Sequence, residues 1–285
     1  MLKYEIMYEL LNFFKNIPDE LRIMFLIGGL AFFLFLESGV PLFRMKYDKF
    51  GHAGINIMFT IITLIINLIG AIGIVKAVEY NKINSSGILN LINVPIGFYI
   101  IIGLLLMDFI GAWVIHWIQH NVKWMLKFHI IHHSDPHVDV TTGLRHHPGE
   151  NIFRLLFTTI AVLISGANFG LVMMYQTISV FFAHLTHANI AIPSSVDKIL
   201  SYIIVTPNFH KIHHHYLQPH TDSNYGNIFS IWDRMFQTTT RIKDKQNIRY
   251  GIDTHLDAKE NSSIKNLLMI PFQPYRYPSR IKKTH

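Results

Sequence analysis

Fourteen of the eighteen histidines fall between residues 116 and 215, in a spacing that asks for a chemical explanation. The stretch HWIQHNVKWMLKFHIIHH places His116 and His120 four apart, then His129, His132 and His133 in a His-x₂-His-His arrangement. The same arrangement returns in HKIHHH, at His210, His213 and His214. On a helix, residues four apart share a face, so His116 with His120 and His129 with His133 project together. Neutral imidazole is the commonest metal ligand and suits zinc, copper, iron and nickel. The chain has no cysteine, which removes thiolate zinc, thiolate haem and iron–sulfur chemistry. For any one histidine a surface or capping role is the default, but that default does not explain a repeated spacing. Eight nitrogens exceed the coordination of one tetrahedral ion, so two metals are the simpler expectation. His184 and His187 extend the set to ten.

The elements that must position these side chains read as membrane helices. Half of the residues are hydrophobic and only 15% are charged. Apolar runs span about Ile23 to Val40, Ala53 to Val78, Val94 to Ile118 and Ile152 to Phe182. A span needs roughly 20 apolar residues, which the second run meets most securely. The fourth run is broken at Ser165–Gly170 (SGANFG), which predicts a helical hairpin of two spans or a shallow re-entrant pair. The expected fold is therefore all-α: a bundle of four to five transmembrane or re-entrant helices under a cytosolic helical cap that carries the histidines. The divisions expected are residues 1–92 as N-terminal membrane helices, 93–240 as the histidine-bearing catalytic region, and 241–285 as a basic cytosolic tail. That tail holds ten Lys/Arg against four Asp/Glu.

The net charge of +7 fits positive loops beside membrane helices better than nucleic-acid binding, for which no motif is present. Every histidine cluster falls at the same, basic side, expected to be the cytoplasmic face of a bacterial inner membrane. The first twenty residues lack the basic start and cleavage site of a secretory leader.

Several polar residues stand near the clusters. Asp108 lies two turns before His116 on one helical face, either as a packing hydrogen bond or as a group orienting an imidazole. The turn TTGLRHHPGEN, with Arg145, His146, His147 and Glu150, is placed to close the cytoplasmic face or line a substrate entrance rather than to ligate. His147 of that turn, Asp222, Asn224 and Asp233 are further candidates to orient imidazoles, and His137, His215 and His220 are bystanders or orienting groups.

The series HWIQH, HIIHH, HANI and HKIHH, followed by NYGN and WDRMF, resembles the fatty acid hydroxylase and sterol desaturase superfamily from about Asp108 to Thr239. The bacterial sterol-desaturase-like members look most similar. The resemblance implies an integral-membrane, non-haem di-iron enzyme that uses O₂ to hydroxylate or desaturate a lipid C–H bond. Electrons would come from a separate reductase, ferredoxin or cytochrome b5-like donor. Carried over by motif, His116, His120, His129, His132, His133, His187, His210, His213 and His214 look like the family's metal-binding histidines, with His184 matching a paired position in some members. One departure is Trp117, where such members often read Arg after the first histidine.

Rival classes fit less well. A membrane metal transporter would place ligands near the bilayer midplane rather than at helix ends. An intramembrane metalloprotease would show His-Glu-x-x-His, and none occurs.

Overall fold

The computed structural model describes residues 2–242 and 248–278; positions 243–247 and 279–285 of the expected tail lie outside the described residues. Eight helices carry the architecture: α1 (Leu2–Lys15), α2 (Asp19–Gly39), α3 (Lys49–Asn84), α4 (Ile96–Asn121), α5 (Lys123–His133), α6 (Pro148–Ser165), α7 (Phe169–His187) and α8 (Pro207–His213). Among the described residues no β-strand forms, only three isolated bridges. The all-α expectation holds.

Four helical stretches are long and apolar enough to cross a membrane: Asp19–Gly39, Lys49–Leu91, Ile96–Asn121 and Phe169–His187. Their outward faces carry large apolar side chains such as Phe25, Phe35, Leu64, Ile65, Leu68 and Phe98, as lipid-facing helices require. At 36 residues, α3 rises about 54 Å, more than the hydrocarbon thickness. Asp48 caps its start by accepting a hydrogen bond from the Gly51 N–H at 3.1 Å.

The predicted break at Ser165–Gly170 is where α6 ends and α7 begins. Gly166 ends α6 in the left-handed region at φ 76°, and Asn168 caps α7 by accepting from the Leu171 N–H at 2.9 Å. Gly87, at φ 89°, meets the Gly166 backbone so closely that no side chain fits at either position. This contact pins the far end of the bundle. Around it Met107, Ala161, Val162, Leu171, Val172 and Met174 form the apolar core.

The opposite end is polar inside. Chain segments between the helices are tied there by buried charges: Glu37 on α2 accepts from the Val140 and Asn189 N–H groups at 2.7 and 2.6 Å. His52 on α3 contacts Asp135 at 2.8 Å and Asp139 at 3.1 Å, and Tyr47 donates to Asp139. Arg145 is fully buried, its guanidinium donating to Ile131 O, Asn56 Oδ1, Ser134 Oγ and Asn261 O. Residues 248–278 pack back onto this end, where Ile252, Leu267 and Ile270 join Phe59, Leu126, Ile130 and Ile131.

Candidate metal centre

Four helices deliver their C-terminal ends to one place. His116 and His120 close α4, His129, His132 and His133 close α5, His187 closes α7, and His210 and His213 close α8, with His214 just beyond. Helix C-termini carry partial negative charge, so four of them converging favour a cation between them. Local sequence sets each terminus. The chain turns sharply at Val122 (φ −101°, ψ 104°), which reverses α5 against the end of α4. Thr206 caps α8 by accepting from the Phe209 N–H, and Pro207 occupies its first turn.

The imidazoles gather into two buried groups: His116, His120, His129, His133 and His213 in one, and His132, His187, His210 and His214 in the other. Within the first, Nε2 of His116 lies 3.0 Å from Nε2 of His129, and Nε2 of His133 lies 3.1 Å from both His120 and His129. Within the second, Nε2 of His187 lies 3.1 Å from His132 and 3.0 Å from His210, which lies 3.2 Å from His214.

The approach of His116 to His129 is not an ordinary hydrogen bond, because the far nitrogens of both rings fix the tautomer. The Nδ1–H of His116 donates to Tyr225 O at 2.7 Å, and that of His213 to Ser223 O at 2.7 Å. His187 donates to Ala183 O at 2.7 Å, His120 to Asp222 at 3.0 Å and His129 to Glu150 at 2.9 Å. A carbonyl only accepts, so a neutral ring held this way presents a bare lone pair at Nε2. Lone pairs facing each other at 3.0 Å repel unless a cation sits between them. The spacing also suits nitrogens that share one ion at a bond length of about 2.1 Å. The residues fit metal ions, one per group.

Protonation is consistent with this. Burial, reinforced by neighbouring imidazoles, holds His132, His133, His210, His213 and His214 well below the usual histidine range. For His129 burial outweighs the attraction of Glu150 and brings the ring down to about 4. Neutral rings are the ligating form.

The remaining sequence candidates sit elsewhere. His184 joins neither group: its ring rests near Gly29 of α2, and a methyl built on that glycine would lie 3.2 Å from Nδ1. A step of three residues turns a helix by about 300°, so His184 points some 60° away from His187. Asp108 touches no imidazole. It accepts from the Ile228 and Phe229 N–H groups and from Trp232 Nε1 at 3.0 Å, anchoring the loop whose Tyr225 carbonyl receives His116. Asp233 works on the same loop, accepting from the Tyr225 and Gly226 N–H groups and from Trp113 Nε1. Asn224, at φ 55°, bridges Phe209 O and Thr240, next to the Ser223 carbonyl that holds His213. His147 caps α6 through its acceptance of the Gly149 N–H. The carboxylates that do meet an imidazole are Asp222, one of the sequence candidates, and Glu150, which was not. One oxygen of Glu150 serves both His129 and His146, at 2.9 and 3.0 Å, a role its sequence position as a turn residue did not disclose.

A cavity of about 320 Å³ opens onto both groups, bounded by His116, His129, His132, His187 and His210 and running between α4, α6 and α7.

With this geometry in place, comparison with known proteins is decisive. Residues 100–238 match the fatty acid hydroxylase family. Over that stretch, just under half of the chain, the match and the curated relatives support the fatty acid hydroxylase and sterol desaturase superfamily. An ornithine lipid hydroxylase, OlsE, of Rhizobium tropici is 28% identical over 145 residues, covering 50% of this chain and 42% of that protein. The alkylglycerol monooxygenase of Xenopus tropicalis is 31% identical over 150 residues, covering 52% and 31%, and that of Homo sapiens is 27% identical over 154 residues, covering 52% and 32%. The match thus spans less than half the length of these relatives. No solved structure matches the chain. All nine histidines that the superfamily motifs picked out lie in the two buried groups; the tenth, His184, does not.

Proposed function

We propose that this chain is a membrane-bound lipid hydroxylase that holds two iron ions, one in each histidine group, and uses O₂ with electrons from a separate donor. The observation that carries the proposal is the pair of converging buried imidazole groups, with Nδ1–H of His116, His120, His129, His187 and His213 each tied outward. The irons, when bound, supply the O₂-dependent oxidation of an unactivated C–H bond. The chain's own part is to orient nine imidazoles, keep them neutral and dry, and bring a lipid carbon into the adjoining cavity. Relatives named as a lipid hydroxylase and as monooxygenases support this class over desaturation.

The basic segment leading into α3, with Arg44 and Lys46, then Lys49 at the first position of α3, and Lys123 and Lys127 on α5 lie at the histidine end. This supports placing that end on the cytoplasmic face of a bacterial inner membrane, where a soluble donor could reach it.

Purified protein is expected to contain close to two irons per chain, and His132→Ala or His213→Ala to abolish O₂-dependent product along with retention of the iron in the group that histidine belongs to. Mass spectrometry of lipids from cells with and without the protein reads the reaction. A gain of one oxygen marks hydroxylation, and a loss of two hydrogens would move the assignment to a desaturase. Metal and activity surviving both substitutions would sink the di-iron proposal, as would metal transport across vesicles without O₂ consumption.

A further inference from the structure

Two arginines of the histidine end are treated very differently by the fold. Arg145 is fully buried and makes four hydrogen bonds. Arg154, on α6, lines the cavity beside the histidines with its side chain 32% exposed. Its Nε approaches Glu150 at 3.5 Å without completing a hydrogen bond, and the Glu150 oxygen it faces already receives His129 and His146. Its two terminal nitrogens have no hydrogen-bond partner among the described residues. A guanidinium fork left open toward a cavity inside a membrane protein is costly unless something anionic fills it. The planar fork matches the two oxygens of a carboxylate or phosphate.

The wall around it is polar too. Thr158, Gln176, Ser179 and Asn227 line the same space, with Asn227 donating to Ser179 at 2.7 Å. Farther from the histidines the character changes. Gln176 and Val180 also border a second groove, between α2 and α7, lined there mainly by Phe25, Leu26, Met173 and Phe181, with Thr177 and Arg22 on its rim. From the level of His187 to that of Met173, α7 descends about 21 Å. Polar cavity and groove thus lie side by side along α7, meeting at Gln176 and Val180, with the polar cavity at the histidine end.

We infer that the substrate is a lipid bearing an anionic oxygen group, phosphate or carboxylate, bound head-first. Arg154 grips the anion beside the histidine groups, the hydrocarbon tail runs out along the α2–α7 groove, and the carbon presented for oxidation is close to the headgroup. This rests on the lipid hydroxylase assignment for the last clause only; the binding mode needs neither metal nor turnover.

Binding of three sixteen-carbon probes to the full chain in neutral detergent tests it. Hexadecyl phosphate or palmitate should bind at least about tenfold more tightly than hexadecanol, the gain expected of a charge-assisted pair. The preferred anion identifies which group the site takes. Arg154→Gln should erase the preference, and Arg154→Lys should keep part of it. Val180→Trp, at the junction of cavity and groove, should weaken hexadecyl phosphate but leave butyl phosphate unchanged. Hexadecanol binding the wild-type chain as tightly as both anions would overturn the inference, whether or not Arg154→Gln folds. So would a preference that survives in Arg154→Gln. Equal effects of Val180→Trp on long and short phosphates would overturn the tail route. Loss of O₂-dependent activity with the anion preference intact would count against the hydroxylase assignment alone.

Discussion

The two histidine groups use the same side chain and share α5 and α8, yet they are held in opposite ways. In the group of five, His116, His120, His129 and His213 each have Nδ1–H fixed by a carbonyl or carboxylate, and His133 alone has Nδ1 without a partner among the described residues. In the group of four, only His187 is fixed, while Nδ1 of His132, His210 and His214 has no hydrogen-bond partner among the described residues. Outward hydrogen bonds lock ring orientation and raise ligand basicity. The first group is therefore preorganised before any ion arrives. The second has one ligand fewer and rings free to adjust, and His132 stacks on His146, a cavity-lining ring, at 4.6 Å.

The contrast is broken most severely by deleting a ligand from each side. His133→Ala and His214→Ala should each cost one of two metal equivalents and lower turnover by more than the 10–100-fold that orienting partners typically command. Metal analysis of the two variants decides this. If either substitution emptied both groups, the two would be one cooperative site and the comparison would lose its meaning.

Removal by a graded chelator sharpens the same point without mutation. Metal should leave in two phases, the faster from the group of four, because fewer of its ligands are held in place. In His214→Ala the fast phase should vanish. A single phase in the wild-type chain, or a fast phase that persists in His214→Ala, would show that outward hydrogen bonds do not govern retention.

Next in size come the orienting carboxylates. Glu150→Gln keeps the shape but removes the charge that holds His129, and should cost roughly 10–100-fold in metal affinity or activity. Asp222→Asn should cost less, because the Asp222 side chain is 31% exposed and water can replace its bond to His120. Competitive metal titration orders the two. An Asp222→Asn defect exceeding that of Glu150→Gln would mean that burial of the orienting group is not what sets its contribution.

What the sequence made legible follows from period. Ligands four apart on a helix announce themselves, and so does the helix break at SGANFG, because both are local. Glu150 was hidden since its partner His129 is 21 positions away and an acidic residue in the first turn of a helix already has a reason to be there. Asp108 illustrates the reverse: of its two readings, the packing hydrogen bond is the one the structure has. Helical arithmetic puts it in line with His116, but the loop 225–232 comes between, taking the carboxylate at Ile228, Phe229 and Trp232 and offering His116 a carbonyl instead. Loop insertions have no period to read. The same holds for His52, Asp135 and Asp139, whose contacts join α3 to a loop that follows α5.

The smallest effect belongs to His184, and it tests the boundary of the site. Its ring is buried against α2, burial by itself leaves no metal partner within reach, and both groups are complete without it. His184→Ala should leave metal content and turnover within about twofold of wild type. Its cost should appear as reduced thermal stability, of the order of 1 kcal/mol typical of point substitutions, from the space opened beside Gly29. A variant that kept its stability but lost one metal equivalent would place His184 inside the site. That outcome would require α7 to rotate by about 60° on metal binding, bringing His184 round to where His187 now stands.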